Sequence, residues 1–404
     1  MIGEFVPVAR AIIGVQNLKI ITFGPRPQDF FACNAPIKGL YELGVEVEEN
    51  SELDKAHKGD ERIPAVCEDM KNEMGEGKYY PELLERMAQF ELTLLDWAEE
   101  HKGARKYVAF ADKCWPAFPS QFGFEPCYVN SRLASRGIPV SCEVDIYGAL
   151  SEYIGACVSQ DAITLLDINN SVPASLWEEK IKGVYDYKLT DTFMGFHCGN
   201  TPSCKMCADR AVKYQLIQNR LLENGGEPDI TRGTLEGDIA PSEITFYRLQ
   251  CDSEGELRAY IAEGEVLDVP TGSFGGIGVF AIPEMGRFYR HVLIEKRYPH
   301  HGAVAFPQIQ VSGVEIIDLS RGAEAHADDL GVLGRCLIVD ISNQSTVEQR
   351  FRFFPEIISG LAVSLGIGDK RCHQLQNILL LLLIHFSPVR VRAGACQDQS
   401  GQIA

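Results

Sequence analysis

Two short apolar runs, each ending in an acid and joined by one stretch of helical periodicity, limit this chain more than any other feature. The first lies in GIPVSCEVDIYGAL, where Ile138, Val140 and Cys142 form a strand that stops at Glu143 and Asp145. The second lies in DAITLLDINNS, where Ile163, Leu165 and Leu166 precede Asp167 and the turn residues Asn169, Asn170 and Ser171. Between them Ile146, Leu150, Tyr153, Ile154 and Val158 fall on one helical face. Strand, helix, strand reads as a parallel crossover unit, and open α/β sheets build their sites at the carboxyl ends of strands. Glu143 and Asp167 are therefore expected to share one crevice, as a divalent-metal site, an acid–base couple or both. Either acid alone could equally cap a helix or face solvent. Their recurrence at the same place in consecutive units is what marks a site.

The alternation extends back to the N-terminus. Residues 1–16 read as an amphipathic helix and Leu18 to Phe23 as a strand, closed by the turn Gly24, Pro25, Arg26 and Pro27. Ala35 to Leu43 reads as a helix and VEVEE as a strand. From Tyr80 to Glu100 apolar residues keep helical spacing, and Tyr107 to Phe110 is a strand with Asp112, Lys113, Cys114 and Trp115 at its end. With a further helix at residues 127–136, the pattern predicts an α/β fold whose residues 1–157 form a Rossmann-like, doubly wound domain. No Gly-x-Gly-x-x-Gly follows the first strand, so no nucleotide cofactor is indicated. The glycine run from Gly272 to Gly278 reads as a bend between strands. From about residue 228 a period of two takes over, in ITFYRLQ and LRAYIAEGEV, broken by Asp252 to Gly255 and by Gly264. A second domain, 158–306, is thus expected to be an α/β segment followed by an antiparallel β-barrel at about 232–306.

Charge and composition exclude several classes. A net charge of −18 argues against nucleic acid, which needs clustered Lys and Arg. The acid run from Glu46 to Glu52 reads as a solvated face. Thirteen cysteines, an odd number scattered through a long chain, read as reduced thiols. The N-terminus has no basic region before its apolar residues, and the run Ile378 to Ile384 is too short to cross a bilayer. These features predict a cytoplasmic protein without a membrane partner.

Two polar clusters remain. Phe196 to Cys207 holds a Cys-x-x-Cys, Cys204 and Cys207, with His197 and Cys198 just before it. Without a second pair at finger spacing the three cysteines are expected to serve packing or loops rather than a zinc knuckle. His197 ends an apolar run as Glu143 and Asp167 do, and is expected to approach the acidic crevice. In Tyr298 to Gly302, His300 and His301 are adjacent, so on an extended segment only one of them can meet a given ion.

Taken in order, CEVDIYGALSEYIG, TLLDINNS, FHCGNTP and RYPHHGAVAF resemble the metal-dependent aldose–ketose isomerases of the L-fucose and L-arabinose isomerase superfamily. GDIAPSEITFYRL and GELRAYIAEGEV resemble that superfamily's C-terminal barrel, and the likeness spans roughly residues 5–306. It implies Mn²⁺ (with Mg²⁺ or Co²⁺ as alternatives) held by Glu143, Asp167 and one of His300 or His301, the two acids also serving as the acid–base pair. His197 would match an additional histidine of the arabinose branch. It further implies a monosaccharide substrate and a homo-oligomer, because family members carry a preceding α/β domain that contributes to a neighbouring subunit's pocket. This chain is expected to begin at the second domain. The likeness is expected to stop at Phe306: residues 307–404 hold no tyrosine or tryptophan and one lysine, Lys370, as a frameshifted or mis-joined tail would.

The residue types suit the chemistry. Moving a carbonyl between C1 and C2 requires taking a weakly acidic proton from beside a carbonyl and returning it to the adjacent carbon. A divalent ion on O1 and O2 stabilises the enediolate between those steps. Carboxylates with a histidine suit Mn²⁺ or Mg²⁺ more than thiolate-preferring zinc. Two other readings stay open: a metal-assisted aldolase or lyase acting on a sugar acid, and a non-catalytic sugar-binding homologue.

Overall fold

A computed structural model describes residues 2–288 apart from 28–32, 34–35, 52–58, 115–116, 169–171, 218–228, 252–254 and 284, together with 301–305 and 315–318. Strands β1 (Leu18–Phe23), β2 (Glu46–Asn50), β3 (Tyr107–Asp112) and β4 (Val140–Cys142) form a four-stranded parallel sheet in the order β2-β1-β3-β4. Around it lie α1 (Ile2–Gln16), α2 (Lys38–Leu43), α3 (Ile63–Met74), α4 (Leu84–His101), α5 (Ala117–Phe122), α6 (Cys127–Ser135) and α7 (Ile146–Ser159). Alternation along β1 splits the core in two. Leu18 and Ile20 pack with Val8, Ala11, Leu150 and Ile154 of α1 and α7. Ile21 and Phe23 pack with Met70, Met87, Phe90 and Leu133 of α3, α4 and α6. Helices cover both faces, so β1 is buried along its whole length.

The second sheet has nine strands: β5 (Thr164–Ile168), β6 (Thr192–His197), β7 (Ala211–Ile217), β8 (Asp229–Asp238), β9 (Ser242–Cys251), β10 (Leu257–Val266), β11 (Gly276–Ala281), β12 (His301–Ala305) and β13 (Glu315–Asp318). Their order is β13-β10-β9-β12-β5-β6-β11-β8-β7, and a short further ladder sets Glu265 and Val266 of β10 opposite Ala281 and Phe280 of β11.

Two expectations are corrected here. The large sheet is not confined to residues 232–306, since β5, β6 and β7 precede that range and β13 follows it. Nor do β4 and β5 form a parallel crossover: β4 belongs to the parallel sheet, whereas β5 runs antiparallel to β12 and β6 in the other. The sequence misleads because β5 is buried on both sides. Ile163 and Leu165 join the α7 cluster while Leu166 and Ile168 join a separate one, so the strand reads as the continuous apolar run of a parallel sheet.

Helix α7 lies between the sheets. Its small residues let it close on the large one: a Cβ on Gly155 would collide with Tyr247 Oη, and one on Gly148 would stand 2.8 Å from Leu165. Tyr247 Oη donates to the Ser151 carbonyl at 2.9 Å, and the Ser151 hydroxyl accepts from Leu249 N–H at 3.1 Å. Glu143 and Asp167 therefore stand at the ends of strands from two sheets that α7 joins. Among the described residues no helix is long and apolar enough to cross a membrane.

Candidate active site

The end of β4 is the most strained backbone described. Glu143 and Val144 both take left-handed φ, +67° and +57°, without being glycine. Asp145 N–H closes the turn onto the Cys142 carbonyl at 3.2 Å, the pattern of a type I′ turn. A β-branched residue there is costly, on the order of 1–3 kcal/mol, and persists only where its surroundings fix it. Here they do. Val144 is buried, and its N–H donates to the Asp112 carbonyl of β3 at 2.9 Å. Asp145 caps α7 through Gly148 N–H at 2.9 Å and takes both ends of Arg248 from β9, at 2.7 and 2.8 Å, both side chains buried. A bidentate pair of this kind locks the turn carrying Glu143 to the large sheet.

Asp167 reaches the same region from the other side. Ile163 and Leu165 of its strand face α7, so period-two alternation sets Asp167 on that side too. The charges of both acids act on the Cys198 thiol. Burial pushes its pKa well up, and Cys114, Asp167, Glu143 and Glu125 push it further. The loop bearing Cys198 is pinned by Asn200, which donates to the Val140 carbonyl of β4 at 2.8 Å, and by Gly199, whose φ of +120° and contact with Leu235 backbone admit no side chain.

Sequence reasoning did not single out three further groups. Asp112 ends β3, is buried, and accepts from Asn130 Nδ2 at 3.1 Å; burial, against that bond, pushes its pKa up to about 7. It stands where Glu143 does, at a strand's carboxyl end, and that position was the signal for it. Cys114 and Cys142 share a hydrogen bond, and, against its effect on Cys114, burial and the charges of Asp112, Glu143 and Glu125 push the Cys114 thiol up. Glu125, buried, arrives on a loop that no pattern announces.

Of the expected histidines, His300 lies outside the described residues. His301 enters by register, opposite Asp167 in the β5–β12 ladder. His197 is buried, but the residue opposite Asp167 on β6 is Phe196, so alternation assigns His197 to the other face of the sheet. The three cysteines keep different company: Cys198 lies among the acids, Cys204 is exposed and 3.8 Å from Ser135 Oγ, and burial with Asp209, Asp238 and Asp268 acts on Cys207. Among the described residues no group of three or more His, Cys, Asp or Glu side chains is gathered to hold a metal ion. The two carboxylates offer hard oxygen donors of the kind Mn²⁺ or Mg²⁺ takes.

Residues 195–319 match the family of the L-fucose isomerase C-terminal domain. The likeness to fucose isomerase-like proteins is thereby shown, and it runs past Phe306, where it was expected to stop; β13, paired with β10, falls inside it. Among individual proteins, the chain is 28% identical over 276 residues to a sulfoquinovose isomerase of Clostridium sp. (strain MSTE9), covering 67% of this chain and 56% of that protein. Sulfoquinovose isomerases of Alkalicoccus urumqiensis (25% over 224 residues, 55% and 44% covered) and Priestia aryabhattai (29% over 272 residues, 65% and 54%) are similar to it as well. The chain spans about half the length of these curated relatives.

Proposed function

We propose that this chain is an aldose–ketose isomerase working through an enediol(ate), with Glu143 and Asp167 as its acid–base pair. The observation that carries the reading is the placement of these two carboxylates at the ends of strands that α7 joins, one of them held on a strained non-glycine turn. The names of the similar proteins support the reaction type.

In this reading Glu143 and Asp167, with His301 or His300, would hold one divalent ion, Mn²⁺ or else Mg²⁺ or Co²⁺. When bound, the ion would supply Lewis-acid polarisation of the sugar's carbonyl. One carboxylate takes the proton from the carbon beside the carbonyl and it is returned to the neighbouring carbon. No nucleotide cofactor is needed, since oxidation of one carbon and reduction of its neighbour balance within the substrate. His300 stays the alternative to His301, which the β5–β12 register supports, and alternation along β6 speaks against His197 as a ligand.

We read the parallel sheet as a Rossmann-like domain over residues 1–157, and the large sheet as the family's barrel. From β10 the pairings run through β9, β12, β5, β6 and β11 and return to β10 by the short ladder. The substrate class is a monosaccharide, with sulfoquinovose the first to try. The setting we propose is a cytoplasmic homo-oligomer, in keeping with the ten described cysteines, all free thiols.

The test is incubation with Mn²⁺ and a panel of aldoses in D₂O, followed by NMR. A ketose carrying solvent deuterium supports isomerisation. Two fragments from a sugar acid would indicate a lyase instead, and binding without turnover a sugar-binding homologue; either outcome overturns the proposal.

A further inference from the structure

Beside Asp167 the fold holds an aromatic ring out in solvent. Phe196 is the β6 residue opposite Asp167, so the two side chains share one face of the sheet, about 5 Å apart at Cβ. Phe274, 52% exposed, stands edge-on against Phe196 with ring centroids 5.1 Å apart. Leaving a Phe half in water forgoes the apolar burial that other rings of this chain obtain.

The loop that carries Phe274 is built rather than slack. Thr271 donates its N–H and hydroxyl to the Asp238 carboxylate at 3.2 and 2.6 Å, and Ser273 N–H donates to Thr271 Oγ1 at 3.3 Å. Gly275, at φ +82°, passes so close that a Cβ would stand 2.5 Å from both Phe196 Cε2 and the His197 carbonyl. Gly237 N–H then fastens the Gly275 carbonyl at 3.1 Å. A pre-organised, exposed ring next to a carboxylate suits a ligand with one polar and one apolar side.

We propose that Phe196 and Phe274 form an aromatic platform for the C–H face of a sugar whose carbonyl end meets Glu143 and Asp167. The inference rests on the isomerase reading and deepens it. Polar hydroxyls and the carbonyl are met by acids, while a row of C–H bonds lies against the rings. Such a platform favours sugars that present an uninterrupted C–H face and disfavours epimers with a hydroxyl projecting from it.

Saturation-transfer NMR and steady-state kinetics with sulfoquinovose and L-fucose, in the presence of Mn²⁺, test it on the wild type, Phe274→Ala and Phe274→Trp. The expected result is transfer from aromatic protons to C–H protons on one ring face. Phe274→Ala should raise Kd and KM roughly three- to tenfold, leaving kcat and Mn²⁺ affinity within about twofold, while Phe274→Trp retains binding. Unchanged sugar binding in Phe274→Ala, or a changed association state with binding intact, overturns the platform alone. Binding of neither sugar by the wild type overturns the platform as proposed, whereas the isomerase reading falls only if the whole panel of aldoses goes unconverted.

Discussion

Among the described residues two clusters of acids, each partly buried, surround different groups. In the helical layer Arg132 takes Glu91 at 2.7 Å, Asp69 at 2.7 Å and Glu73, while Arg136 takes Glu91 at 2.6 Å and Asp69 at 3.0 Å. Near the strand ends the group is a thiol instead: burial pushes the Cys198 pKa well up, and Cys114, Asp167, Glu143 and Glu125 push it further. The first cluster is an ion-pair network that fastens α3, α4 and α6. The second brings the charges of three acids, one of them on a strained turn, to bear on one thiol, an arrangement that a divalent cation would complete in the proposed reading. Burial of acids is thus no mark of a site by itself; the chemistry of what they surround is.

The contrast can be broken by substitution, beginning with the largest effect. Arg132→Met should lose about 3 kcal/mol in urea unfolding, because buried Glu91 is left with the partly exposed Arg136 as its remaining cation. A loss below about 1 kcal/mol would remove the structural half of the comparison. Glu143→Gln should lower turnover by on the order of a thousandfold while stability stays within about 1 kcal/mol. Asp167→Asn should match it, and the double variant should add little, because ligands of one ion act as a unit. Near-normal turnover in either single variant would end its assigned role.

Glu143→Gly separates strain from charge. Glycine tolerates the left-handed φ, so stability should hold or rise by about 1 kcal/mol while turnover is lost; a clear drop in stability would mean that the turn is not strained. A further effect concerns Asp112, whose pKa in the fold is pushed by burial up to about 7 from 3.8. A carboxyl kept protonated by burial contributes stability that is full below about pH 4 and is lost as pH rises to about 7. Asp112→Asn should flatten that part of the stability–pH curve in metal-free protein, read by urea unfolding at about pH 5 and pH 8. An unaltered curve would show that Asp112 ionises normally.

Much of this was readable in the residues. The helical periodicity of α4 and α7 and the apolar run of β1 carry their own signals, because each depends on local spacing. Glu143 and Asp167 were legible because strand ends announce themselves. The partner sheet of β5 was not, since burial on both faces erases the alternation that tells an antiparallel strand from a parallel one. Helix α3 escaped because little of its length is buried: Ile63, Met70 and Met74 are its buried residues, too sparse for a periodic stripe. Arg248 belongs to β9, and nothing local reveals that its carboxylate partner is Asp145, 103 residues away. The face taken by His197 depends on which residue of β6 pairs with Asp167, and only the register supplies that.

The central claim is that Glu143 and Asp167 share one divalent ion. Titration with Mn²⁺ followed by electron paramagnetic resonance, on wild type and on the Glu143→Gln, Asp167→Asn double variant, tests it most directly. The account predicts one tightly bound Mn²⁺ per wild-type chain, with a raised Tm, and neither effect in the double variant. Equal binding by both proteins, or none by the wild type, would contradict it.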